Sequence, residues 1–129
     1  MELIKLEGSQ DTPSITLDAK NGLFEISGKS FPADVAFFYQ PILDWLSQYS
    51  EKPLNKTVFD LKMDYFNTAS SKVILDILYK LEDLKKDGSD VVIRWFYPDD
   101  DEDMQETGEE YSEIVEVPFE HIKYTVENR

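Results

Sequence analysis

Hydrophobic and polar residues alternate in two short segments near the start of the chain. Residues 15–17 and 23–27 both show this period of two, which predicts β-strands. The dipeptide Asn21-Gly22 lies between them and favours a tight hairpin, because both residues tolerate a positive φ angle. Residues 3–6 predict one more strand at the edge of the same sheet.

The next apolar residues recur at three- and four-residue steps. Between residues 35 and 49 this spacing predicts an amphipathic helix that begins near Pro32. Pro41 interrupts the pattern, because proline lacks a backbone N–H and clashes with the preceding turn. We therefore expect either a kink at Pro41 or a short helix followed by a second one that begins near Gln40.

A further helix is predicted after a strand at residues 57–63. Asn67 and Thr68 are both residue types that cap a helix N-terminus, and Gly88 is typical of a helix end. The apolar stripe of this helix consists of Val73, Ile77, Leu78, Leu81 and Leu84.

The last third of the chain combines two strand patterns with an acidic run. Residues 91–97 predict a strand, residues 99–110 predict a loop followed by a short acidic helix, and residues 115–124 predict a last strand broken at Pro118. The order of elements predicts an α/β fold in which helices pack on a mixed β-sheet. We expect one domain that spans residues 1–129.

The chain is strongly acidic, with 27 Asp and Glu residues against 13 Lys and Arg and a formal net charge of −14. Such a surface is repelled by phosphate backbones and anionic lipids, so no nucleic acid is expected as a partner. A protein with a basic or apolar docking face fits better. The sequence contains no cysteine, no secretory signal and no apolar run of membrane-spanning length. We therefore expect a cytoplasmic protein without direct membrane insertion.

Few residue types in this chain offer catalytic chemistry. His121 is the only histidine, which leaves no partner for a histidine-based metal site or triad. The acidic run lacks the spacing of a calcium-binding EF-hand loop, so we interpret it as a solvated, mobile loop. We expect no enzyme activity, no catalytic residues, no cofactor and no metal. The many carboxylates leave open one alternative, a metal-dependent hydrolase.

The segment 65–72 joins a predicted strand to the second helix and carries three serine and threonine hydroxyl groups. One interpretation is plain helix capping. The other is a phosphoacceptor, because a phosphate adds nearly two negative charges and would spoil the fit of a docked partner. That chemistry makes a reversible off-switch that needs no enzyme activity in this chain. A scaffold in which Thr68 only caps the helix stays open.

The same segment resembles the SiaC family of bacterial regulatory phosphoproteins, and the resemblance extends over nearly the whole chain. The matching residues are Asp11-Thr12-Pro13, Asn21-Gly22, Glu25-Ile26-Ser27-Gly28, Phe38-Tyr39-Gln40-Pro41, Asp44-Trp45-Leu46, Tyr65-Phe66-Asn67-Thr68-Ala69-Ser70-Ser71-Lys72, Leu75-Asp76, Trp95-Phe96-Tyr97 and Asp100-Asp101-Glu102-Asp103-Met104. The block around Thr68 is the most specific of these.

The resemblance implies a STAS-like fold and a partner-switching signalling function. It implies that a dedicated protein kinase phosphorylates Thr68 and that a PP2C-type phosphatase removes the phosphate. It also implies that the unphosphorylated form binds and activates a diguanylate cyclase, which raises cyclic di-GMP and promotes aggregation and biofilm. A relative could keep this switch and act on a different effector.

The candidate contact surface surrounds the predicted phosphorylation site. We expect Asn67, Ser70, Ser71 and Lys72 to bind partners, with Asn67 also capping the helix. Residues 37–45 could add an apolar docking patch, although their spacing indicates that most of them belong to the core.

Overall fold

The computed structural model describes residues 2–126, which form a six-stranded mixed sheet in the order β1-β2-β3-β4-β5-β6. The first three strands pair with one another antiparallel. The third, fourth, fifth and sixth strands pair in sequence with parallel neighbours. The predicted mixed sheet, its Asn21-Gly22 hairpin and its first edge strand are confirmed. The strands are β1 (Ile4–Leu6), β2 (Ser14–Asp18), β3 (Leu23–Ser30), β4 (Lys56–Phe66), β5 (Asp90–Pro98) and β6 (Phe119–Tyr124).

Three helices connect the parallel strands, and they pack on one face of the sheet. The helices are α1 (Val35–Tyr49), α2 (Thr68–Lys86) and α3 (Glu102–Ile114). The ring of Phe24 in β3 contacts Tyr49 of α1 at a centroid distance of 5.1 Å. Strand register places Phe24 and Trp95 on the same face, and Trp95 packs under α3. The core therefore lies in a single layer between the sheet and the helices.

The side of the sheet that faces the helices carries apolar residues, whereas the opposite face carries paired charges. Glu25 and Lys62 form an ion pair at 2.8 Å, and Asp60 accepts two hydrogen bonds from Arg94 at 2.6 Å. The hydrogen bond that Arg94 donates to Asp60 raises the pKa of Arg94, which keeps the guanidinium charged. This alternation follows from the two-residue period of a strand, and the strand predicted at residues 57–63 is confirmed within β4.

α1 is one continuous helix, so the predicted second helix near Gln40 is wrong. Its N-cap is Asp34, whose carboxylate accepts from the N–H of Phe37 at 3.1 Å, and Pro32 lies outside the helix. Proline at position 41 leaves the carbonyl of Phe37 without its helical donor. Both Phe37 and Pro41 are exposed, so water can satisfy that carbonyl and the helix continues.

The acidic run forms α3, which confirms the predicted short acidic helix and contradicts the interpretation of the run as a mobile loop. Asp101 caps this helix by accepting from the N–H of Met104 at 2.9 Å. Glu102 and Asp103 follow in the first turn, where the helix dipole favours negative charge. The last strand begins only after Pro118, so the prediction of a strand from residue 115 was wrong.

α3 is anchored by an indole and a phenol. The Nε1 of Trp95 donates to the carbonyl of Met104 at 2.9 Å, and Gly108 lets the helix approach the indole closely. Tyr111 contacts the same indole at a centroid distance of 5.6 Å and donates its hydroxyl to the carbonyl of Ser71 in α2 at 2.8 Å. Burial raises the pKa of Tyr111 to about 12, because the anion would lose its hydration.

In the described part of the chain, none of the helices combines the length and the apolar character needed to cross a bilayer.

Gly108→Ala should destabilise the protein by about 1–2 kcal/mol. A Cβ at this position would lie 2.8 Å from Cγ of the buried Trp95, and overpacking of this kind outweighs the helix propensity gained from alanine. The measurement is urea unfolding, with the exposed Glu106→Ala of the same helix as control. An unfolding free energy equal to or above that of the wild type would show that the indole moves aside without cost.

Tyr111→Phe should reduce the decrease in the free energy of unfolding that accompanies a rise to alkaline pH. The pKa of Tyr111 is raised from 10.0 to about 12 on folding, so the unfolded state releases its proton first as the pH rises. The stabilisation is complete below pH 10.0 and disappears as the pH approaches 12. Urea unfolding at about pH 9 and about pH 11 should show a smaller decrease for the variant than for the wild type.

Tyr79→Phe, on the exposed side of α2, controls for the loss of a tyrosine hydroxyl as such. An identical alkaline decrease in the wild type and in Tyr111→Phe would show that Tyr111 contributes nothing to the pH dependence.

Candidate functional site

The candidate site lies at the edge of the sheet where the parallel strands end and the three helices begin. β3 ends at Ser30 and β4 ends at Phe66, and α2 begins directly after Phe66 and Asn67. The caps of all three helices, Asp34, Asn67 and Asp101, therefore lie at this edge. In open α/β sheets this edge is the usual place for binding sites.

Asn67 is the N-cap of α2, as predicted. Its side-chain oxygen accepts from the N–H of Ser70 at 2.9 Å, and its own N–H donates to the carbonyl of Ser30 at 3.1 Å. Thr68 is then the first residue of the helix, and it is exposed. The helix start therefore depends on Asn67, and the Thr68 side chain is not needed as a cap.

Ser70 lies in the interior, which contradicts its predicted place on a contact surface. It is fully buried, and its hydroxyl lies 2.8 Å from the hydroxyl of Ser30. Ser30 in turn lies 2.6 Å from the hydroxyl of Tyr39 in α1. Burial raises the pKa of Tyr39, and the hydrogen bond to Ser30 acts in the opposite direction. The three hydroxyls join β3, α1 and α2 beneath the exposed Thr68.

Sequence reasoning missed Ser30 and Tyr39, and it assigned Ser70 to the wrong side of the helix. A signal for Ser70 was present in the spacing. Ser70 lies four and seven residues before Ile74 and Ile77, which are both fully buried. A small hydroxyl residue in register with an apolar stripe indicates the buried face of a helix. Ser30 gave no such signal, because its partners Tyr39 and Ser70 lie in other elements, nine and 40 residues away in the sequence.

Ser71 and Lys72 lie beside Thr68, and their role in partner binding stays a prediction. The hydroxyl of Ser71 donates to the carbonyl of Thr68 at 2.6 Å. Lys72 is exposed one turn further along the helix. The structure brings four of the predicted residues together, because Asn67, Thr68, Ser71 and Lys72 line one shallow groove of about 360 Å³ between α2 and α3. The other residues of this groove are Phe66, Leu75, Thr107, Glu110 and Tyr111.

Residues 37–45 belong mainly to the core. Tyr39, Ile42 and Trp45 are buried, whereas Phe37 is 81% exposed on the first turn of α1. Any docking patch on this segment therefore depends on Phe37.

His121 and the carboxylates form no visible metal centre in the described part of the chain. His121 is exposed on β6, and its ring stacks on Phe119 at a centroid distance of 5.8 Å. Within residues 2–126, His, Asp and Glu side chains nowhere gather in groups of three or more that could hold a metal ion.

The chain is similar to proteins of Pseudomonas aeruginosa. Residues 6–124 match the family model described as SiaC family regulatory phosphoprotein. An uncharacterised protein of strain UCBPP-PA14 is 31% identical over 119 residues, which cover 92% of this chain and 94% of that protein.

Two solved structures share the fold over nearly their whole length. The crystal structure of apo-SiaC from Pseudomonas aeruginosa is 30% identical, with a TM-score of 0.86 over 95% of this chain and 99% of that one. SiaC in a crystal structure of the diguanylate cyclase SiaD with its activator is also 30% identical, with a TM-score of 0.88 over 94% and 99% of the two chains. With the family match over nearly all of its length, the chain belongs to the SiaC family of regulatory phosphoproteins.

Proposed function

We propose that this chain is a non-enzymatic partner-switching protein whose state is set by phosphorylation of Thr68. In this proposal the unphosphorylated form binds and activates a diguanylate cyclase. A dedicated protein kinase adds the phosphate, a PP2C-type phosphatase removes it, and all of these partners meet the chain in the cytoplasm. The relative that forms a complex with SiaD supports the cyclase as effector.

The exposure of Thr68 at a fixed helix start is the observation that carries the proposal. Asn67 caps α2 and Ser70 anchors its first turn in the core, so the backbone at Thr68 is held in place. Within the described residues, the hydroxyl of Thr68 forms no hydrogen bond, so a kinase can reach it without breaking one. In a residue that served only as a cap, the side-chain hydroxyl would accept a hydrogen bond from a backbone N–H.

A phosphate on Thr68 would change the chemistry of this surface without unfolding it. It adds close to two negative charges and three acceptor oxygens to a groove that otherwise holds Lys72 and Glu110. A partner that packs against the groove would have to dehydrate this dianion, which is unfavourable without matched cations. Phosphorylation therefore releases a partner that fits the unmodified surface.

Phosphothreonine at position 68 should weaken binding to the cyclase by about tenfold or more, which corresponds to roughly 1.4 kcal/mol. The modified residue is incorporated genetically, and affinity for purified SiaD of Pseudomonas aeruginosa is measured together with cyclic di-GMP production. Wild type and Thr68→Ala should both bind and activate. Phosphothreonine at the exposed Thr125 adds the same charge elsewhere and should change little.

Equal affinity of the phosphorylated and unphosphorylated forms would overturn the switch. If neither the wild type nor Thr68→Ala binds SiaD, the proposal that a cyclase is the effector is overturned, and a different partner is favoured.

Thr68→Ala should change the free energy of unfolding by about 0.5 kcal/mol or less, whereas Asn67→Ala should lower it by about 1 kcal/mol. The reason is that Asn67, and not Thr68, accepts from the N–H of Ser70. Urea unfolding of the two variants measures the difference. A larger loss for Thr68→Ala would show that its side chain has a structural role, which would favour the scaffold alternative.

A further inference from the structure

Three aromatic side chains remain exposed at the edge of the sheet that carries Thr68. Phe37 is 81% exposed, Tyr65 is 51% exposed and Phe31 is 37% exposed. The rings of Phe31 and Tyr65 contact each other edge to face, with centroids 5.9 Å apart. We call these three residues the aromatic edge. Grouped exposed aromatic residues are typical of protein interfaces, where they supply much of the binding energy.

The hydrogen bonds that fix α2 also hold the aromatic edge beside Thr68. Tyr65 precedes Thr68 by three residues, and Phe31 directly follows Ser30, whose carbonyl accepts from Asn67. Phe37 lies on the first turn of α1, and Tyr39 of that helix reaches the hydroxyl of Ser30 at 2.6 Å. The aromatic edge and the phosphorylation site therefore lie at the same end of the sheet, on segments that these hydrogen bonds join.

Acidic side chains outnumber basic ones at the helix starts beside this surface, and they define the charge of its partner. The exposed Lys29 lies opposite Tyr65 in the strand register. Asp34 and Asp101 cap the neighbouring helices, and Glu102 and Asp103 extend the acidic side at the start of α3. A partner that covers the rings therefore meets a negative rim. Charge complementarity at such a rim favours lysine and arginine on the partner.

We infer that the aromatic edge is the docking surface for the effector, and that its occupant is a protein segment with apolar side chains flanked by lysine or arginine. This inference rests on the proposed function and specifies its contact residues. Apolar side chains cover Phe31, Phe37 and Tyr65, and the cations face the acidic rim. A phosphate on Thr68 weakens this contact, because it would have to be dehydrated beside apolar rings.

The first test compares alanine variants in binding to SiaD of Pseudomonas aeruginosa. Phe37→Ala and Tyr65→Ala should each reduce affinity by about tenfold or more. Leu23→Ala is the matched control, because Leu23 is 55% exposed but lies at the opposite end of β3. Unfolding midpoints of all three variants show whether the fold is intact. Unchanged affinity in both aromatic variants would overturn the inference.

The second test addresses the charge of the occupant. Affinity for SiaD should fall as salt is raised from about 50 mM to about 300 mM, because opposite charges are screened. Asp103→Asn should make this dependence shallower than Asp83→Asn does, since Asp103 lies in the first turn of α3 and Asp83 lies near the far end of α2. An affinity that does not change with salt would contradict a basic partner.

The third test does not depend on SiaD. If the wild type does not bind SiaD, that result overturns the cyclase function alone, and the docking surface is tested with a peptide. A helical peptide of leucine and lysine is titrated into the labelled protein, and backbone NMR shifts are mapped. The largest changes should lie at the aromatic edge and Thr68. Changes spread evenly over the acidic surface, or centred on α3, would overturn the inference. In a control titration, Phe37→Ala should lower the affinity for the peptide, and Leu23→Ala should leave it unchanged.

Discussion

The start of α2 depends on hydrogen bonds made out of reach of water. Three hydroxyls, on Tyr39, Ser30 and Ser70, form a chain at 2.6 and 2.8 Å, and all three residues are fully buried. A buried hydroxyl that lost its partner would keep its desolvation penalty, so the members of the chain hold one another in place. Within the described residues, every buried side-chain nitrogen and oxygen has a partner. The first turn of α2 is thereby fixed to both β3 and α1.

This constraint explains why Thr68 and not a neighbouring hydroxyl serves as the candidate phosphoacceptor. Ser70 is turned inward and used in the core, and Ser71 returns its hydroxyl to the carbonyl of Thr68. Asn67 satisfies the N–H of Ser70. Among the serine and threonine hydroxyls of the segment, that of Thr68 remains, and it is exposed on a backbone that does not need it. It can therefore be modified without disturbing the fold.

Local patterns predicted the parts of this arrangement that arise within one element. The Asn21-Gly22 hairpin, the cap at Asn67 and most of the stripe of α2 follow from turn chemistry and periodicity. In that stripe Val73 is only half-buried, and the fully buried Ile74 was missed. A short acidic helix was predicted within residues 99–110, but the run was interpreted as a mobile loop because its acidic residues outnumber its apolar ones. The buried residues of α3 and its C-cap are Met104, Gly108, Tyr111 and Val115, at helical steps of four, three and four. The apolar pattern was hard to recognise because one of these positions is a glycine. The buried hydroxyls could not be predicted, because they meet only when three separate elements pack together.

The switch proposed for Thr68 works through packing rather than through net charge. A partner with basic residues would be attracted by an added phosphate at long range, so charge alone would strengthen binding. At contact the balance reverses, because the dianion would need cations and donors that an apolar partner lacks. The helix N-terminus offers limited compensation, since the N–H of Ser70 is already bonded to Asn67. The phosphate therefore stays hydrated at the surface, and a hydrated dianion between the aromatic edge and the groove keeps a closely fitting partner away.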